Sequence, residues 1–290
     1  MLTAVVVLLG CAGPTKQQVL QSAVVPVPAL APLPAPTTHQ LDVAAAYSLL
    51  TGQGRSAKGT NAEVYVPRHQ ADLAAQLRIS PNAAVRFLYL HGFRAGARPS
   101  GDARLSAPDD GANAFGAGVV LLFHPAESLE LGGWLDLALA LAAARIVVCE
   151  NGCGQVSTAE SRQETALGAM TTVGLMLRLS VLQRLRLSAA LAVRNQPTNE
   201  AAEVRSQTWA LVSPGPLYMA VEANAEVTLW KGLSADLSFQ APCFTGPFGF
   251  SPVVSLGLRG RFDVLPPEPP LRLPEVPAPP APADASRSAP

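Results

Sequence analysis

The chain has 290 residues, of which 49% are hydrophobic and 14% charged, and its 21 lysines and arginines are matched by 21 aspartates and glutamates. That length holds one large domain or two small ones, and so low a charged fraction is apolar for a soluble protein. With no basic excess there is nothing to hold nucleic acid or an anionic membrane surface, so nucleic acid is not expected as a partner.

Residues 1–13, MLTAVVVLLGCAG, carry a short apolar run ending in Leu8-Leu9-Gly10-Cys11. The run resembles the lipobox of a bacterial lipoprotein signal, which implies export and acylation at Cys11. It is too short to span a bilayer and has no basic residue before it, so an ordinary cleaved signal with an incidental cysteine is the alternative. Six of the 27 prolines fall between Pro14 and Pro36 and ten between Pro266 and Pro290, leaving eleven for the region between. Proline-dense ends cannot bury a core. The expected organisation is therefore a signal or lipobox segment at 1–13, a linker at 14–38, one domain at 39–264 and a disordered tail at 265–290.

Inside the domain a two-residue period recurs. Leu41, Val43, Ala45, Tyr47 and Leu49 oppose Asp42, Ala44, Ala46 and Ser48. A helix would mix the two sets around its circumference, whereas a strand separates them. QADLAAQLRISPNAAVRFLYL has helix-forming alanines and leucines. Yet Asp72, Gln76, Arg78 and Ser80 alternate with Leu73, Ala75, Leu77 and Ile79, and Pro81-Asn82 suits a turn, so two strands are expected there with a helix as the alternative.

From Leu129 the odd positions read Leu, Leu, Gly, Leu, Leu, Leu, Leu against Glu130, Gly132, Trp134, Asp136, Ala138 and Ala140. That run to Val148 exceeds the 9 to 11 residues or so that a membrane strand needs, so its end is expected to rise above the membrane with the loop bearing Cys149. Leu185 to Val193 alternates with Arg184, Arg186, Ser188 and Arg194. Leu217 to Leu229 alternates with Glu222, Asn224, Glu226 and Trp230, and Leu233, Leu237 and Phe239 with Ser234, Asp236, Ser238 and Gln240. The last run, SPVVSLGLRGRF, sets Val254, Leu256, Leu258, Gly260 and Phe262 against Ser255, Gly257, Arg259 and Arg261.

Short connections fall near Pro81-Asn82, His124 to Glu127, Leu182-Gln183 and Lys231-Gly232, and longer ones at Thr51 to Gln70, Arg94 to Gly111, Cys149 to Glu164, Asn195 to Gly215 and Pro242 to Gly249. The alternation of short and long implies ten antiparallel strands with both ends on one side, as in a membrane barrel with short periplasmic turns. The apolar faces run almost without charge, and the opposite faces are small residues broken by charges, which suits a narrow lumen.

Across residues 39 to 262 the chain resembles the small outer-membrane β-barrel proteins of Gram-negative bacteria. The resemblance implies an all-β, antiparallel, up-and-down transmembrane barrel in the bacterial outer membrane, with termini in the periplasm and outer-membrane lipids around it. In that family the closing strand ends in an aromatic residue preceded by a glycine, and the insertion machinery reads it. Ser255, Gly257 and Phe262 match, while Gly260 stands where a larger apolar residue is usual. The Pro-rich tail is expected to make periplasmic contacts.

Seven acids (Asp42, Asp72, Glu130, Asp136, Glu222, Glu226 and Asp236) face seven arginines (Arg78, Arg178, Arg184, Arg186, Arg194, Arg259 and Arg261) in the lumen so drawn. Unpaired burial would be costly, so they are expected to pair and largely close it. Cys149 and Cys153 in CENGC fit a small disulfide loop in an oxidising compartment, with zinc as the weaker rival. Cys243 has no assigned partner. Trp134, Trp230, Phe123, Phe239, Phe248, Phe250 and Phe262 are candidates for interfacial girdles, although Trp134 and Trp230 fall on the lumen side in this register.

The four histidines, His39, His69, His91 and His124, lie near the rims, with Asp72 expected close to His91. No serine motif accompanies them, so lipid hydrolysis is a minor alternative and no catalytic residue, cofactor or metal is expected. The leading functional expectation is a structural or surface-interaction barrel. The alternatives are a small porin for ions or small solutes, and a soluble periplasmic lipoprotein with a β-sandwich domain.

Overall fold

A computed structural model describes residues 17–24, 40–50, 55–56, 62–65, 67–93, 111–150, 160–195, 217–244 and 252–263. Ten strands make the wall: β2 (Gln40–Leu50), β5 (His69–Ser80), β6 (Ala83–Phe93), β7 (Ala112–Ala126), β8 (Leu129–Glu150), β9 (Glu160–Leu182), β10 (Leu185–Asn195), β11 (Leu217–Trp230), β12 (Leu233–Phe244) and β13 (Val253–Asp263). Each pairs antiparallel with its sequence neighbour in the wall, β13 pairs with β2, and pairing between β8 and β9 completes the circuit. The sheet is a closed ten-stranded up-and-down barrel, and no helix occurs among the described residues. A two-sheet sandwich is thereby excluded, as is a helix across QADLAAQLRIS, which is strand β5.

The register fixes the barrel's shape. A path perpendicular to the strands from Arg178 passes Ser188, Asn224, Ser238, Ser255, Ser48, Gln70, Gly92, Ala112 and Ala142 and returns to β9 at Ala166, twelve positions from its start. With strands about 4.8 Å apart and a rise of about 3.3 Å per residue, that stagger tilts the strands roughly 40° and gives a backbone radius of about 10 Å. Side chains from opposite walls then meet across the lumen. An eleven-residue strand such as β2 climbs about 28 Å at that tilt, close to the hydrocarbon thickness of about 30 Å.

Four tight turns lie at one end, at Pro81-Asn82, Glu127-Ser128, Gln183-Arg184 and Lys231-Gly232, within a residue or two of their expected places. Gly232 has φ of 80°, the left-handed conformation that a two-residue hairpin turn requires. β2 begins and β13 ends at this short-turn end. At the other end β8 and β9 run on together as far as Val148 and Glu160, after β7 has left β8 at Ala142 and β10 has left β9 at Thr172. The long apolar run from Leu129 therefore does outgrow the wall.

The freed edge of β8 is covered by β1 (Gln17–Val24), antiparallel to Ala144–Glu150. β1 also pairs with β4 (Ala62–Tyr65), which holds β3 (Arg55–Ser56). The strand QQVLQSAV lies within the segment read as linker, in its stretch without proline between Pro14 and Pro26.

Pro125 and Pro242, read as connection residues, sit inside β7 and β12, each beside a register irregularity near a strand end. Outward positions bear the apolar sets read from the sequence. Leu121, Leu175, Leu256 and Phe87 are all more than half exposed to the surroundings of the barrel. Over the described side chains of the ten strands, no Asp, Glu, Lys or Arg occupies an outward position.

Candidate functional site: the barrel lumen

Charged side chains line the lumen in a defined order. One row of directly opposed residues runs across nine strands: Arg261, Asp42, Gln76, Arg86, Gly118, Asp136, Thr172, Arg194 and Tyr218. Because the register is staggered, this row climbs from the short-turn end on β13 to the long-loop end on β11. Arg86 Nη1 donates to Asp136 Oδ2 at 3.1 Å midway along it, and Arg194 pairs with Glu222 near its top.

Nearer the short-turn end, Arg259 bridges Asp42 and Glu226, the latter at 3.2 Å. Arg261 Nε reaches Asp42 Oδ1 at 3.2 Å, and Arg186 lies 3.8 Å from Glu226. Arg178 pairs with Glu130, whose Oε2 is 3.0 Å from His124 Nε2. Arg78 caps the turn below it by donating to the carbonyls of Ser80 and Pro81. Each guanidinium thus meets a carboxylate or a carbonyl, as burial of a charge demands.

Between β6 and β10 the charged row is sandwiched by apolar side chains. On the short-turn side lie Ala84, Val120, Leu122, Trp134, Met176, Ala190 and Ala192. On the long-loop side lie Leu88, Leu90, Ala114, Ala140 and Met170. Several large side chains here fit only because a glycine stands directly opposite. The Trp134 indole lies where a Cβ on Gly174 would be, 2.2 Å from its ring. Asp136 crosses Gly118 and Met176 crosses Gly132 in the same way. The wall from β11 through β12, β13 and β2 to β5 differs: Ser48 Oγ bonds Ser255 Oγ and Asp72 Oδ2, both at 2.7 Å, and Gln70 donates to Asp72 Oδ1 at 2.6 Å.

The expected lumen residues Asp136, Arg178, Arg186, Glu222, Glu226, Asp236, Arg259 and Arg261 all face inward. Some readings need correction. Arg184 lies exposed in its turn, since a bulge at Leu185/Arg186 ends the alternation there. Its place among the buried arginines is taken by Arg86, 2% exposed, which sequence reasoning missed. The signal was present in Val85, Phe87 and Tyr89 against Ala84, Arg86 and Leu88, but apolar residues on both faces hid it.

Trp134 faces the lumen as read, whereas a bulge between Thr228 and Trp230 turns Trp230 outward to 78% exposure. Trp230, Phe123 and Phe262 all project outward near the short-turn end. Ser255 and Gly257 face the lumen, and the Phe262 ring lies over Gly260, 3.0 Å from where a Cβ would stand. A larger residue at Gly260 would displace that ring, which gives a packing reason for the glycine.

His91 and Asp72 do not meet, because Ala71 opposes His91 and Asp72 points inward. His91 Nδ1 instead lies 2.8 Å from Asn113 Oδ1, and His69 Nδ1 lies 2.8 Å from the Tyr47 hydroxyl, both on the outward face. Tyr47, His69, Phe93 and His91 stack there as an aromatic patch near the long-loop rim. Among the described residues no histidine bonds a serine and no metal-binding cluster of three ligands occurs. Cys243 is free and exposed. Cys11, His39, Cys153, Phe248 and Phe250 lie outside the described residues, as does the side chain of Cys149.

No protein-family model matches the chain, and no curated protein matches it. Solved structures do. An outer membrane channel from Pseudomonas putida F1 aligns over 79% of this chain and 97% of its own, with 11% identity and a TM-score of 0.44. The N-terminal β-barrel domain of OprF from Pseudomonas aeruginosa aligns over 78% and 98%, with 9% identity and a TM-score of 0.32. The attachment invasion locus protein Ail of Yersinia pestis aligns over 78% and 100%, with 12% identity and a TM-score of 0.29. Likeness at this level assigns no activity.

Proposed function

We propose that the chain is an outer-membrane barrel with a structural or surface-interaction role, its lumen largely closed by paired charges. The observation that carries the membrane reading is the outward face: a closed barrel whose described wall presents no formal charge and many large exposed apolar side chains is suited to lipid. The pairing of Arg86, Arg178, Arg194 and Arg259 with acids in a lumen of about 10 Å backbone radius supports closure. Surrounding partners are then outer-membrane lipids, and the barrel-insertion machinery would read β13 through Phe262. The tail after Asp263 leaves from the short-turn end, which in this orientation is periplasmic and permits periplasmic contacts.

Fractionation with heat-dependent gel migration tests the membrane reading. Retention after carbonate washing and a migration shift on boiling are expected, and their joint absence overturns it. A small porin is the second reading, favoured by the hydroxyl-rich β12–β13–β2 wall. Discrete, reproducible openings in planar bilayers would establish the porin and reject closure.

A further inference from the structure

Seven carboxylates of the described residues face the lumen, and five of them bond arginines: Asp42, Glu130, Asp136, Glu222 and Glu226. Asp72 and Asp236 do not. Asp72 is held by Ser48 and Gln70 and Asp236 accepts from the Asn224 amide at 3.4 Å, while Arg86 and Arg259 act on them from beyond bonding distance. Both residues are half-buried, whereas the arginine-paired Asp42, Asp136, Glu222 and Glu226 are buried.

The two occupy one row of the wall. Asp236 on β12 opposes Gly257, Gly257 opposes Ala46, and Ala46 opposes Asp72 on β5. Nothing larger than a methyl group stands between them, and the Asp236 carboxylate leans over Gly257, 2.4 Å from where a Cβ would be. The adjacent row toward the long loops is Ser238, Ser255 and Ser48, directly opposed in turn. Ser255 and Ser48 bond each other, but the Ser238 hydroxyl, 3% exposed and next to Ser255, has no partner, nor has Gln240 Oε1 two residues on. A buried oxygen left without a partner is costly. A bound cation beside each carboxylate would satisfy such oxygens and the charge together.

We propose that this β12–β13–β2–β5 wall takes up small hydrated cations at Asp72 and Asp236, with the hydroxyls of Ser48, Ser238 and Ser255 completing the oxygen lining. Hard oxygen ligands of this kind suit alkali and alkaline-earth ions rather than softer metals. The inference rests on the fold and is independent of whether the lumen conducts.

Sodium is the probe. The full chain, refolded in detergent micelles, is titrated with sodium chloride while choline chloride holds ionic strength constant, and the excess sodium-23 linewidth is read. Asp72→Asn and Asp236→Asn are each expected to remove about half of the lumen contribution, as two separate sites would. The double variant should remove all of it, and Ser238→Ala a smaller share. Heat-dependent gel migration verifies that each variant is folded. Asp236→Asn has the weakest native contact to lose and keeps the test open should the double variant not fold. An unchanged linewidth in folded Asp236→Asn and Asp72→Asn overturns the proposal.

Discussion

The β6–β9 wall and the β11–β13–β2–β5 wall line the same lumen but handle burial differently. On the first, the Arg86–Asp136 pair crosses between two apolar clusters, with tryptophan, methionine and leucine above and below. On the second, serines, Gln70, Asp72 and Asp236 form a continuous polar lining in which Asp42 and Glu226 each serve more than one arginine. Asp136 bonds Arg86 across the dry wall, whereas in the polar wall Asp42 and Glu226 each meet two arginines. The first arrangement should be brittle and the second tolerant.

The largest expected effect comes from removing one member of the dry pair. Arg86→Met leaves Asp136 buried among apolar side chains and should cost about 3–5 kcal/mol, while Arg86→Met combined with Asp136→Leu should recover most of it. Urea unfolding in lipid vesicles, followed by tryptophan fluorescence, measures both, and a double variant no more stable than the single would contradict a brittle wall.

Next comes a reference outside the lumen. Leu256→Arg on the outward face of β13 should cost about 2–4 kcal/mol near the bilayer midplane. If it were silent, lipid would not be the solvent of that face.

Gly174→Val tests how tightly the dry wall is packed. The new side chain occupies the space of the Trp134 indole, so about 1–3 kcal/mol of overpacking strain and a shifted tryptophan emission are expected. The smallest effect belongs to the tolerant wall. Ser255→Ala removes the Ser48 contact but leaves Ser48 bonded to Asp72, so the loss should be about 0.5–1.5 kcal/mol. A loss equal to that of Arg86→Met would erase the distinction between the walls.

Much of the fold was legible in the chain because strand faces are set locally. Leu131, Leu135 and Leu137 must point opposite to Trp134 and Asp136 whatever the strand packs against. The reading failed where the period breaks. Bulges re-aimed Trp230 and left Arg184 in a turn, and neither leaves a mark in the pattern of apolar residues. Arg86 was missed for a different reason: its neighbours Leu88 and Leu90 also face inward, so the inner face of β6 resembles the outer one.

By itself the sequence determined that the domain is built of amphipathic strands, where the tight turns fall, and that inward charges balance in sign, since each of these follows from neighbours along the chain. Only the tertiary structure decided that the register returns twelve positions from its start, and that Arg86 bonds Asp136 while Asp72 and Asp236 bond no arginine. These depend on residues of different strands, fifty positions apart for Arg86 and Asp136, being brought to one level by the stagger of a closed sheet, and no local pattern encodes that level.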